Sequence, residues 1–123
     1  LVGSEMCIRD SLKIIDYKTG GSLTSTSLSF EEYETVFKKN KKELFQLLCY
    51  SLIYLKSNKS IKSVEPGLIL LKSINSGTNV VKQKISHRTY NSVFDENKLL
   101  EFKLLVDNLV EEIFDNNLNF ESN

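Results

Sequence analysis

Apolar positions along the chain fall into three spacings. Leu12, Ile14 and Ile15 crowd into a short β-type run that ends at Asp16 and Lys18, before the turn-forming pair Gly20-Gly21. A hydroxyl-rich loop, SLTSTSLS (22–29), follows. Ser29 then stands as a candidate helix N-cap, with Glu31, Glu32 and Glu34 in or near a first turn where the helix dipole favours acid. Phe30, Tyr33, Val36 and Phe37 recur at helical spacing, so a turn or short helix is expected there. ELFQLLCYSLIYLK (43–56) is apolar nearly all round and predicts a helix buried against a sheet, ended by SNKS (57–60). Pro66-Gly67 introduces GLILLKSI (67–74), whose continuous apolar run predicts a central strand closed by Asn75-Ser76-Gly77. VVKQKISHRTY (80–90) alternates loosely, as an edge strand does. ENKLLEFKLLVDNLVEEIF (96–114) predicts an amphipathic helix with Leu99, Phe102, Leu105, Val106, Leu109, Val110 and Ile113 on one side. Strand, helix, strand, possible strand and helix in that order predict an α/β sandwich without internal repeats.

Composition narrows the function classes rather than the fold. At 123 residues, 41% of them hydrophobic and 26% charged, the chain has the make-up of one globular domain. Sixteen basic and sixteen acidic side chains cancel, so net charge offers no case for a polyanion partner, and any nucleic-acid surface must be local. The apolar runs fall short of the roughly 20 residues a membrane-spanning helix needs. Cys7 and Cys49 have neither metal spacing nor a disulfide framework, which predicts a reducing, cytoplasmic setting.

The chemistry to explain is Asp16 and Lys18. Residues i and i+2 of a strand point to the same face, so a carboxylate and an ammonium are brought together at the strand's end. Desolvating such groups is costly unless they are paired or hold a metal. Two arrangements meet that demand. One is a salt bridge that caps the strand. The other is a phosphodiester-cleaving pair, in which the carboxylate holds a hard divalent cation while the lysine positions or deprotonates water and offsets phosphate charge.

Two motifs bear on that choice: Asp16-Tyr17-Lys18-Thr19-Gly20 at the end of an apolar strand, and Gln46 with Tyr50, four apart and stacked on one helix face. Together they resemble the RecB-like branch of the PD-(D/E)xK nuclease superfamily, which includes RecB and AddB nuclease domains and CRISPR-associated RecB-like exonucleases. LVEEIFDNNLNF (109–120) is similar to the last helix of AddB-like proteins, so the resemblance extends over nearly the whole chain from Leu12 onward. It implies a restriction-endonuclease-like mixed sheet flanked by helices. It also implies a metal-dependent DNA nuclease, as part of a helicase–nuclease of recombination repair. Asp16 would ligate Mg²⁺ or Mn²⁺ through its carboxylate and Tyr17 through its backbone carbonyl. Lys18 would be the catalytic lysine, Gln46 would orient it or the water, and Tyr50 would face the nucleic acid. Lys38, Lys39, Lys41 and Lys42 form a basic knot that serves either as a solvated face or as a set of phosphate contacts. Cys49 is expected in the helix core and His87 on a loop.

The resemblance also says what is missing. LVGSEMCIRD is the translation of CTC GTG GGC TCG GAG ATG TGT ATA AGA GAC, a string like a transposase-type sequencing adapter whose next bases, AG, would open Ser11. Residues 1–11 are therefore read as adapter-derived and 12–123 as the native partial domain, incomplete at its N-terminus. Removing Arg9, Glu5 and Asp10 from the sixteen charges of each sign leaves 15 basic and 14 acidic groups. Family members carry a second metal-binding Asp on the strand before the D-x-K strand, and it has no counterpart here. A fragment without it is expected to be inactive. AddB-like iron–sulfur ligands would lie beyond Asn123. The alternative is a nuclease-like domain kept for DNA binding or scaffolding without catalysis.

Overall fold

The computed structural model describes the main chain of residues 2–8, 11–19 and 27–121, and the side chains of 12–19, 27–75 and 77–116. Strand β1 (Val2–Ile8) is followed by β2 (Ser11–Lys18), β3 (Ser29–Phe30), two 3₁₀ turns (Tyr33–Phe37 and Lys39–Lys41) and helix α1 (Lys42–Ser57). Then come β4 (Ser63–Leu70), a 3₁₀ segment (Leu71–Ser76), β5 (Asn79–Val80), β6 (Lys82–Ser86), β7 (Thr89–Asn91) and helix α2 (Leu100–Glu121). The class is mixed α/β. One sheet runs β1-β2-β4-β5 and a smaller one β3-β6-β7.

The larger sheet is built on a parallel pair. β2 and β4 pair from Ser11↔Ser63 to Lys18↔Leu70, and α1 is the crossover that parallel strands require. β1 lies antiparallel along the other side of β2, and β5 lies antiparallel along β4. Leu12 and Ile14 of β2 and Val64, Pro66 and Leu68 of β4 alternate onto one face and are buried there. Against them α1 lays Leu44, Leu47, Leu48, Ser51 and Leu55, all buried, and Ser51 donates its hydroxyl back to the Leu47 carbonyl at 2.8 Å. The helix is therefore one-sided rather than buried all round, with Ile53 60% exposed.

An aromatic cluster joins α2 to this body. Phe102, fully buried, meets Tyr33, Phe37 and Phe45 at ring-centroid distances of 6.0, 5.9 and 5.7 Å, and Phe30 stacks on Phe94 at 6.2 Å. Tyr33 donates its hydroxyl to the Lys98 carbonyl, and burial, reinforced by Glu101 and Asp95, pushes its phenol up to about 12.

Several expectations are corrected. Ser29 does not cap a helix; it pairs in β3 with Lys82, and the turn that follows begins at Tyr33 without a side-chain cap. The spacing of Tyr33 and Val36 is that of a 3₁₀ turn, whose period is three residues. β4 begins before Pro66 and ends at Leu70, because the proline's fixed φ suits extended backbone and its carbonyl accepts the Val81 N–H at 3.0 Å. The rest of the apolar run, Leu71–Ser76, coils away, leaving Leu71 and Ile74 exposed, and Gly77 ends it at φ 81°, a left-handed conformation that favours glycine. The expected edge strand over 80–90 is two strands, β6 and β7, folded back at His87-Arg88. Gly20-Gly21 and most of the hydroxyl-rich loop lie outside the described residues.

Candidate functional site

β2 carries its two charges on the helix-facing side of the sheet. Asp16 and Lys18 continue the register of Leu12 and Ile14, but past the point where α1 covers the strand, so both are half-buried rather than buried. Tyr17 turns to the other face and is 40% exposed. On that face Lys13 and Glu65 form their own contact at 3.8 Å, separate from the Asp16–Lys18 end.

The first turn of α1 approaches this strand end. The Lys18 ammonium donates a hydrogen bond to Glu43 Oε1, an ion pair in which the lysine side chain is 31% and the glutamate side chain 23% exposed. Glu43, Gln46 and Tyr50 fall at i, i+3 and i+7, one flank of the helix bordering its buried stripe. The Lys18–Glu43 contact thus aligns that flank with the end of β2. The expected partner of Lys18 was Gln46; the residue that reaches it is Glu43, one turn earlier. An acid one turn before a Gln-x-x-x-Tyr face is the signal that points to it, but only once the strand has been placed opposite the helix.

The bond from Lys18 holds the Glu43 carboxyl below its usual range, helped by the glutamate's own backbone N–H and by the charge of Lys42, against a smaller opposing effect of burial. A depressed carboxyl contributes stability above its unfolded pKa and loses it as pH falls through the folded pKa. Lys18→Met removes the main cause, so the Glu43 carboxyl is expected to titrate at higher pH and the acid-side loss of stability to flatten. Side-chain NMR titration of Glu43 checks this, and an unchanged titration would show that Lys18 is not its partner in solution.

The basic knot does not join this flank. Lys38, Lys39 and Lys42 line a hollow of about 370 Å³ whose apolar walls are Val36, Phe37, Phe45 and Leu109. Lys41 is drawn inward to donate to the Ser29 carbonyl at 2.7 Å. Cys49 is half-buried in α1, and burial pushes its thiol up. His87 sits exposed in the β6–β7 turn.

As donors for a divalent cation, Asp16 and the Tyr17 carbonyl fall short of the six oxygens that Mg²⁺ takes, and among the described residues no group of three or more His, Cys, Asp or Glu side chains converges. The residues described here do not fit the ion by themselves, so no catalytic step is assigned to this chain alone. Among the described residues no helix is long and apolar enough to cross a membrane. No family model matches the chain, and no curated protein or solved structure matches it either.

Proposed function

We propose that this chain is the D-x-K half of a metal-dependent DNA nuclease domain of the PD-(D/E)xK type, RecB/AddB-like, inactive until a further carboxylate joins it. The observation that carries the reading is the placement of Asp16 and Lys18 at the open end of a core strand, facing the Glu43–Gln46–Tyr50 flank of the crossover helix. The strand order supports it as well. A D-x-K strand with an antiparallel neighbour on one side and a parallel partner reached through a helix on the other is the arrangement such a site needs. In the completed enzyme Lys18 exchanges Glu43 for the phosphate it neutralises, Gln46 orients the lysine or the attacking water, and Tyr50 lies along the nucleic acid. Mg²⁺ or Mn²⁺ is the cofactor, DNA the substrate, and a helicase the partner. The incomplete donor set favours one second reading, a nuclease-like domain retained for DNA binding or scaffolding.

The register supplies the test. Val2 of β1 stands directly opposite Asp16, and directly opposite residues of an antiparallel pair share a face. Val2→Asp is expected to place a second carboxylate beside Asp16, to tighten Mn²⁺ binding severalfold in calorimetric titration, and to permit slow Mn²⁺-dependent cutting of a labelled oligonucleotide. Asp16→Asn in the Val2→Asp background is expected to abolish the gain. If Val2→Asp binds Mn²⁺ no better than the parent chain, or if Asp16→Asn leaves the gain intact, the metal role of Asp16 is wrong.

A further inference from the structure

The face of α2 that packs onto the body does not stop where the body stops. Leu99 and Phe102 are buried and Leu105 and Val106 half-buried against the aromatic cluster. Leu109, Val110, Ile113 and Phe114 continue that stripe along the helix, yet they are 38, 59, 53 and 62% exposed. A stripe of four large apolar side chains on one helix face is more than the scattered surface hydrophobics normal for a soluble chain. Leu109 is the hinge point. It borders the hollow rimmed by Lys38, Lys39 and Lys42, and a second hollow beside it that is lined by Glu34, Phe37, Leu105, Asn108 and Glu112.

We propose that the overhanging half of α2 is the contact surface for a second copy of this chain, packed antiparallel about a two-fold axis. Charge and direction together argue for that occupant. In an isologous contact each stripe meets its own copy, and in the antiparallel sense the far end of each overhang reaches back toward the other copy's body. The far end is acidic, carrying Glu111, Glu112 and Asp115. The edge of the body that it meets carries Lys38, Lys39 and Lys42, all exposed. A parallel pairing would instead set the acidic ends against each other. The apolar stripe supplies the affinity and the charges fix direction and register. Two helices overlapping through such a short stretch make an interface at the small end of the specific range, below about 1,200 Å² in total, so a reversible dimer is expected rather than an obligate one. This inference does not depend on the nuclease reading.

Sedimentation equilibrium across a concentration series tests it on the full chain. A concentration-dependent dimer is expected. Val110→Glu with Ile113→Glu should yield monomer at every concentration, without loss of helical signal in circular dichroism because both positions face solvent. Lys38→Glu, Lys39→Glu and Lys42→Glu together should weaken the dimer at least severalfold. Adding Glu111→Lys, Glu112→Lys and Asp115→Lys should restore it. A wild-type monomer at high concentration would overturn the proposal. So would a dimer that survives Val110→Glu with Ile113→Glu, which would locate association at the exposed edge of β1 instead. If the lysine variant changes only the binding of a fluorescent oligonucleotide and not the mass, the lysines serve nucleic acid and the proposal also falls.

Discussion

Phe102→Ala is expected to destabilise the fold by about 3–5 kcal/mol, the range for removing a fully buried aromatic ring. Phe102 has no exposed surface and touches rings from three separate segments: Tyr33 and Phe37 in the first 3₁₀ turn, and Phe45 in α1. Those segments are not joined to α2 by strand pairing, so the ring cluster is what fastens the helix to the sheet layer. Against a total stability of about 5–15 kcal/mol for a domain of this kind, the loss is a large fraction. Urea denaturation followed by far-ultraviolet circular dichroism should show the midpoint falling sharply. A shift equivalent to less than about 1 kcal/mol would mean that α2 is held by something other than Phe102.

The second large effect concerns chemistry. In a chain completed by the opposing carboxylate, Lys18→Ala is expected to lower the rate of DNA cleavage by roughly 10²–10⁴-fold, the range for removing a positioned proton-transfer group. Binding of the same oligonucleotide should change little, since Lys18 is one charge among several. The fold should survive, because the lysine head is partly solvated and its loss opens no apolar cavity. The measurement is single-turnover cleavage alongside equilibrium binding. Equal loss in both would make Lys18 a phosphate contact rather than a catalytic group, and full activity would remove it from the site.

How much of this was legible in the sequence differs by element, and the reason is physical. α1 and α2 were readable because their apolar residues repeat over four or more turns, long enough for period to outweigh chance. β2 was readable from LKII and from the charges that end it. The small sheet was not. β3 has two residues and β7 three, and strands that short exist only because tertiary partners are present, as where the Lys82 N–H donates to the Leu28 carbonyl at 3.0 Å. The stretch 67–74 misled because a continuous apolar run does not show where a chain leaves the sheet. Gly67 carries that information in another form: a Cβ there would lie 2.7 Å from Thr78 Cγ2, so the returning chain passes too close for any side chain. In the candidate site, Asp16, Lys18, Gln46 and Tyr50 were legible as a pattern, whereas Glu43 was not. Its importance comes from lying 25 positions from Lys18 in sequence and within hydrogen-bond reach in space.

The parallel register of β2 and β4 has a consequence for the order in which the molecule assembles. Ser11 and Ser63 are partners 52 positions apart, and closing a loop of that length costs about 3.5 kcal/mol of chain entropy before any pairing is gained. The opposite side of β2 meets no such delay, because Ile8 and Ser11 are partners across a two-residue connection, and hairpins of that kind close in about 1–10 μs. One edge of β2 is therefore occupied early by whatever sequence immediately precedes it. The main-chain hydrogen bonds of that pairing ask little of the side chains. The parallel edge waits until α1 has drawn β4 into place. The strand that bears Asp16 and Lys18 thus acquires its first neighbour by proximity and its second by topology, and only the second is selected by the core.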